Sequence, residues 1–134
     1  MAAVGDVCGL WGVPLFRMNS RTVSVVGAGG RTRPMFFGQW TDDLGVVRRK
    51  GMADILTMPR ITYSTRLGDS PLMLQAFPHT VPLWIECKVG AGRMTEDQQC
   101  FKQYVENAGA YHLSLHDSAD ELILWLETHG AKKR

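Results

Sequence analysis

The sequence predicts an α/β domain with a mixed central β-sheet flanked by helices, and three stretches carry that prediction. Leu83 to Val89, LWIECKV, has the short apolar run of a core strand. Thr95 to Ala108 has helical spacing, and it is followed by a strand pattern, Ala110 to Leu115, and a second helix pattern, Ser118 to Thr128. Strands and helices in that order build a sheet with helices packed against it.

Taken from the N-terminus, Val4 to Trp11 reads as the last turns of a helix that closes at Gly12, with Pro14 beyond. Leu15 to Asn19 and Thr22 to Val26 alternate as strands, and Gly27 to Arg31, GAGGR, is a turn. VSVVGAGG has the opening of a dinucleotide fingerprint, but such a turn needs a helix directly after its glycines. Pro34 interrupts any helix there, so the segment reads as a hairpin. Met35 to Phe37 is a third short strand, followed by a polar loop to Lys50, and Ala53 to Met58 is the next strand.

From Pro59 to Pro82, mixed polar residues and the prolines 59, 71 and 78 read as a long loop excursion between two core strands. In the first long helix Thr95 is the N-cap, with Gln98 three residues on as a capping-box partner and Asp97 favouring the positive helix end. Its apolar stripe is Phe101, Tyr104, Val105 and Ala108, and Gly109 ends it. Leu122, Ile123, Trp125 and Leu126 supply the inner face of the last helix.

The length, 134 residues, suits one domain spanning residues 1–134 with a core that needs no staples. With 45% hydrophobic and 21% charged residues the chain is neither disordered nor fibrous. No apolar run approaches the roughly 18 residues of a membrane span, and MAAVGDVCGLWG lacks the basic start and long apolar stretch of a signal peptide. The expectation is a cytoplasmic protein, bacterial or encoded by a phage, with no membrane partner and no organic cofactor. Cys8, Cys87 and Cys100 are odd in number and widely spaced, which indicates reduced thiols. The net charge of +2 neither demands nor excludes nucleic acid, because a binding face can be basic while the total is near neutral. The basic tail, Lys132-Lys133-Arg134, reads as a solvated end.

The chemistry begins with LWIECKV. Alternation puts Glu86 and Lys88 on one face with Trp84, while Ile85, Cys87 and Val89 take the other. An ammonium and a carboxylate on a core strand form either an ion cluster or the edge of a polar cleft, because an unpaired buried charge costs several kcal/mol. Asp54 follows a glycine turn, Lys50-Gly51, at the start of another strand. Two carboxylates on adjacent strands, with waters filling the remaining positions, are how Mg²⁺ is usually held. Lys88 on the same face then suits the orientation of an attacking water or the offsetting of phosphate charge.

Read in order, GMADIL, PLWIECKVGAGRMTEDQQCF and ENAGAYHLSLHDSADELILWL resemble the VRR-NUC family of PD-(D/E)xK nucleases. The matching pieces are Gly51 with Asp54, Glu86 with Lys88, Gly92-Arg93, Thr95 with Gln98, and Ala108-Gly109 before a strand. Arg17-x-Asn19-Ser20 is similar to that family's first strand, so the likeness runs from Gly12 to Leu126. The resemblance implies a restriction-endonuclease-like core and an Mg²⁺- or Mn²⁺-dependent DNA endonuclease. The stand-alone members are similar to Holliday-junction resolvases, which implies branched DNA as substrate and a homodimer.

It further implies Asp54, Glu86 and the backbone carbonyl of Cys87 as metal ligands, and Lys88 as the residue assisting the nucleophilic water. Gln98 would place a phosphate or the lysine. Arg17 and Asn19 would face the same cleft, and Arg93 would contact DNA phosphate; apart from the resemblance, the basic cluster Arg48-Arg49-Lys50 is a further DNA-contact candidate. One departure is the glutamate that the family's first helix carries ahead of a Gly-Val pair: ahead of Gly12-Val13 the acid in this sequence is Asp6. The length of 59–82 is a second. The departures motivate the alternative of a catalytically impaired, nuclease-like DNA-binding module. Of the other candidates, His112 and His116 lack further zinc-spaced ligands and read as surface histidines, Cys87 as a packed small hydrophobe, and Trp84 as a core residue.

Overall fold

The structure, a computed structural model, describes residues 2–18, 22–26, 29–36, 40–42, 44–48, 50–66 and 74–134. Helix α1 (Ala2–Leu10) is followed by β1 (Leu15–Arg17), β2 (Thr22–Val26) and β3 (Thr32–Phe36). Two short strands, β4 (Trp40–Thr41) and β5 (Val47–Arg48), precede β6 (Ile55–Thr57), β7 (Arg60–Arg66), β8 (Leu74–Thr80) and β9 (Leu83–Lys88). Helix α2 (Glu96–Asn107), β10 (Tyr111–His116) and α3 (Asp120–Thr128) complete the chain. Among the described residues no helix is long and apolar enough to cross a membrane.

The central sheet has the order β1-β6-β9-β10 and is mixed: β6 runs antiparallel to both neighbours, and β9 and β10 are parallel. Parallel neighbours need a crossover between them, and α2 supplies it. Ile55, Leu83, Ile85 and Leu115 point to one face, where they are buried with Val4, Val7, Cys8 and Trp11 of the α1 region and Leu122 and Leu126 of α3. Trp84 points to the other face and meets Phe101 of α2 edge to face at 5.0 Å. The result is a three-layer arrangement, with α1 and α3 below the sheet and α2 above it.

GAGGR joins β2 to β3, which pair antiparallel as expected of a hairpin; residues 27 and 28 of that turn lie outside the described residues. The long excursion is corrected. Residues 60–66 and 74–80 are strands paired in a regular antiparallel ribbon, and Pro78 is accommodated because β8 has only β7 as a neighbour among the described residues, which leaves Pro no second ladder to supply. The polar loop before Lys50 also contains structure: β4 and β5 pair, and Asp42 closes the turn between them by accepting the N–H groups of Leu44 and Val46. Trp40 from this hairpin is buried against Phe101, and its indole N–H donates to the Lys50 carbonyl at 2.9 Å. Val89 does not join the apolar face; β9 ends at Lys88 and Val89 is exposed.

Candidate active site

The site is built where β6 and β9 run side by side. Ile55 pairs with Ile85, so the preceding residue Asp54 arrives opposite Glu86, and Asp54 Oδ2 accepts the Cys87 N–H at 2.8 Å. That bond fixes the Asp54 carboxylate against the backbone of the Glu-x-Lys strand. Gly51 sets the approach to it: its φ is +88°, and a Cβ there would overlap the Asp97 carbonyl group and sit 2.8 Å from Asp97 Cβ. Only glycine lets the segment leading to Asp54 press this closely on the first turn of α2.

Helix α2 starts with the capping box that Thr95 and Gln98 predict. The Gln98 N–H donates to Thr95 Oγ1 at 3.3 Å, and Gln98 Oε1 accepts the Thr95 N–H at 2.9 Å. The same Gln98 side chain reaches the sheet. Its Oε1 also accepts from Lys88 Nζ at 2.6 Å, and its Nε2 donates to Glu86 Oε1. Lys88 Nζ completes the triangle with an ion pair to Glu86 Oε1 at 3.1 Å.

Glu86 is 3% exposed, the most buried charged side chain among the described residues. Removal from water pushes its carboxyl above the usual carboxylate range, the hydrogen bond from Lys88 pulls it back, and the negative charge of Asp54 adds to the rise. While Oε1 takes two donors, Oε2 is buried with no hydrogen-bond partner among the described residues. A buried carboxylate oxygen left bare beside a second carboxylate fits a hard cation, which supplies the missing charge and accepts oxygen ligands. Among the described residues no group of three His, Cys, Asp or Glu side chains gathers to hold a metal; the carboxylates that meet here are Asp54 and Glu86. Few protein ligands suit Mg²⁺, which keeps most of its water.

Asp54, Glu86, Cys87, Lys88 and Gln98 therefore meet, and the Cys87 side chain packs into the lower core with its thiol pushed up by burial and by Asp54. The nucleic-acid candidates do not all join them. Arg17 pairs with Ile55 and shares a face with Leu15, which puts it on the lower face, away from Glu86, where it is exposed on the edge strand. The expectation that it faces the same cleft is corrected by that register. Arg48 is bound to Asp42 at 2.9 Å beside Trp40 and Tyr104, while Lys50 and Arg93 are exposed, Arg93 in the turn that follows Lys88. Asn19 and Arg49 lie outside the described residues. Asp6 is exposed on α1, on the other side of the sheet.

Two residues on the upper face are not placed there by sequence reasoning. Ser114 is in register with Glu86, and His112 with Trp84. The alternation in YHLSLH is the signal for both, once β10 is known to lie parallel to β9. His112 is not a surface histidine: its Nδ1 is buried without a hydrogen-bond partner among the described residues, and desolvation, with some help from Lys102, lowers its pKa to about 4. Trp84 packs on Phe101, as a core tryptophan. No family model, curated protein or solved structure matches this chain, so the functional reading rests on the residues and their geometry.

Proposed function

We propose that this chain is an Mg²⁺- or Mn²⁺-dependent deoxyribonuclease that cuts phosphodiester bonds internally, with branched, four-way-junction DNA as its first substrate and a VRR-NUC-like PD-(D/E)xK core. The observation that carries the reading is the bare, buried Oε2 of Glu86, set beside Asp54 and ringed by Lys88 and Gln98. Asp54, Glu86 and the Cys87 carbonyl would hold the ion. When bound, the ion supplies positive charge that makes water a better nucleophile and offsets charge on phosphate.

The remaining work belongs to this chain's own groups. Gln98 holds the Lys88 ammonium at the mouth of the carboxylate pair, where it orients a water and adds a second positive charge for the phosphate. Arg93, in the turn after Lys88, contacts the flanking backbone. A homodimer presents two such sites, which matches the two-fold symmetry of a four-way junction.

A second reading, a nuclease-like module that binds DNA without cutting it, draws on the closed network itself: Glu86 Oε1, Lys88 and Gln98 already satisfy one another, and Asp54 is bonded to Cys87. Turnover separates the two. Labelled four-way junction and matched linear duplex are incubated with Mg²⁺, Mn²⁺ or chelator, with Glu86→Ala and Lys88→Ala alongside. The nuclease reading expects metal-dependent junction cutting that both substitutions abolish. Equal cutting of duplex removes the junction preference, and binding without cutting in either metal leaves the module.

A further inference from the structure

The C-terminal residues Lys132, Lys133 and Arg134 are exposed, as expected of a solvated end, and the segment also folds back on α1. The Arg134 N–H donates to the Leu10 carbonyl at 3.2 Å, and Lys133 Nζ lies 5.3 Å from the centre of the Trp11 ring. The Arg134 side chain crosses Gly12 so closely that a Cβ there would collide with it. From the other side the ribbon is tied to the end of α3, by the Thr62 N–H to the His129 carbonyl at 3.0 Å and Thr62 Oγ1 to the Gly130 carbonyl at 3.4 Å.

Between tail and ribbon runs a cleft of about 710 Å³. Arg60, Lys132 and Arg134 line it, and no Asp or Glu does among the described residues. Its remaining walls include Trp11, Met58 and Pro78, so three cations stand over an apolar lining. None of the three has an ion pair among the described residues; the one acid paired with the tail, Glu127, takes Lys133 at 3.9 Å. Three cations with no acidic side chain paired to them around one concavity create a field that attracts a polyanion. The cleft sits at the Met58 end of β6, and Asp54 is at the other end. Four residues of strand put them roughly 13 Å apart along the sheet.

We infer that this cleft is a second nucleic-acid contact, holding the phosphate backbone of a DNA segment other than the one at Asp54 and Glu86. The choice of DNA as the polyanion rests on the nuclease reading; the charge and shape of the cleft do not. Phosphate contacts of this kind position the nucleic acid without reading its sequence.

The test is fluorescence anisotropy of a labelled duplex with chelator present, titrated in salt. Arg60→Ala/Lys132→Ala is compared with wild type and with the charge-matched Arg31→Ala/Lys102→Ala, neither of whose residues lines the cleft. Each phosphate contact contributes about 0.9 to the slope of log K against log salt, so the cleft variant loses about 1.8. Raising salt from about 50 to 200 mM then weakens wild type about 12-fold more than it weakens the cleft variant. Equal slopes for wild type and cleft variant, an equal loss in the charge-matched control, or no duplex binding by wild type overturns the inference. Duplex binding through the cleft by a chain that never cuts DNA would leave this inference standing and remove the nuclease reading; cutting with no change of slope would do the reverse.

Discussion

Replacing Gly51 by alanine separates two effects that usually travel together. At φ +88° an L-residue costs about 1–2 kcal/mol for its backbone conformation alone. The added methyl must also displace the Asp97 backbone or the strand lead-in, because its position overlaps the Asp97 carbonyl group. Overpacking of this kind typically costs about 1–3 kcal/mol more. Gly90 is the internal control: its φ is +57°, and a methyl added there would have nothing within 4 Å, so Gly90→Ala carries only the conformational cost. For a chain of this size about 1 kcal/mol moves Tm by roughly 3–5 °C, so Gly51→Ala is expected to melt about 6–25 °C below wild type and Gly90→Ala about 3–10 °C. Scanning calorimetry or thermal denaturation followed by circular dichroism measures both. Because the same displacement moves Asp54 against Gln98, Gly51→Ala should also lose on the order of 100-fold in any cleavage rate, as misplacement by about 1 Å can do. Two variants that melt within about 2 °C of each other would refute the claim that close approach, rather than φ, selects glycine at this position.

Three further outcomes follow from the site and its surroundings. Glu86 has a raised carboxyl in the fold, so its favourable contribution is complete below the unfolded value near 4.5 and is lost as pH rises through the folded value. Glu86→Gln should therefore gain stability relative to wild type as pH rises from about 4.5 to 7, and a flat difference in Tm across that range would count against it. Mn²⁺ at about 100 times its Kd should stabilise wild type by about 2.7 kcal/mol, while Asp54→Asn and Glu86→Gln should show little of the shift; an equal shift in all three would place the ion elsewhere. His112 runs with the opposite sign to Glu86: its folded pKa is lowered from 6.5 to about 4, so it withdraws stability as pH falls through that interval. His112→Phe should flatten the acid limb of the Tm profile between those values, and an unchanged limb would assign it to other groups.

The parts of the fold that are legible in the sequence are those set by local physics. Alternation in LWIECK defines both faces of β9, and Thr95 with Gln98 marks the start of α2, because strand pleat and helix cap are decided within a few residues. The ribbon of β7 and β8 reads as loop because prolines usually break strands, and the ladder on which Pro78 needs no N–H becomes visible only after pairing. The face that Arg17 takes depends on its register with Ile55, thirty-eight residues away in the chain, and pairing at that distance leaves no trace in periodicity. The docking of the tail on α1 is likewise a long-range contact, with its only local trace in the three basic residues themselves. At the site, the pairing of Asp54 with Glu86 is accessible from residue type and glycine context, whereas the bare Oε2 depends on how many donors the folded side chain receives.

Gln98 gives the molecule a particular kind of cooperativity. A capping side chain ordinarily stands between a helix end and water, and fraying of the first turn releases it at small cost. Here the residue that closes the helix also grips Lys88 and Glu86, so fraying would take a hydrogen bond from the half-buried ammonium and another from the buried carboxylate at the same moment. The first turn of α2 should accordingly exchange its amide hydrogens on the timescale of the sheet rather than of a helix terminus, and the face that carries Glu86 and Lys88 should be rigid. A chain built this way keeps the geometry of Glu86 and Lys88 and the first turn of its helix under one lock, and loosens both together or neither.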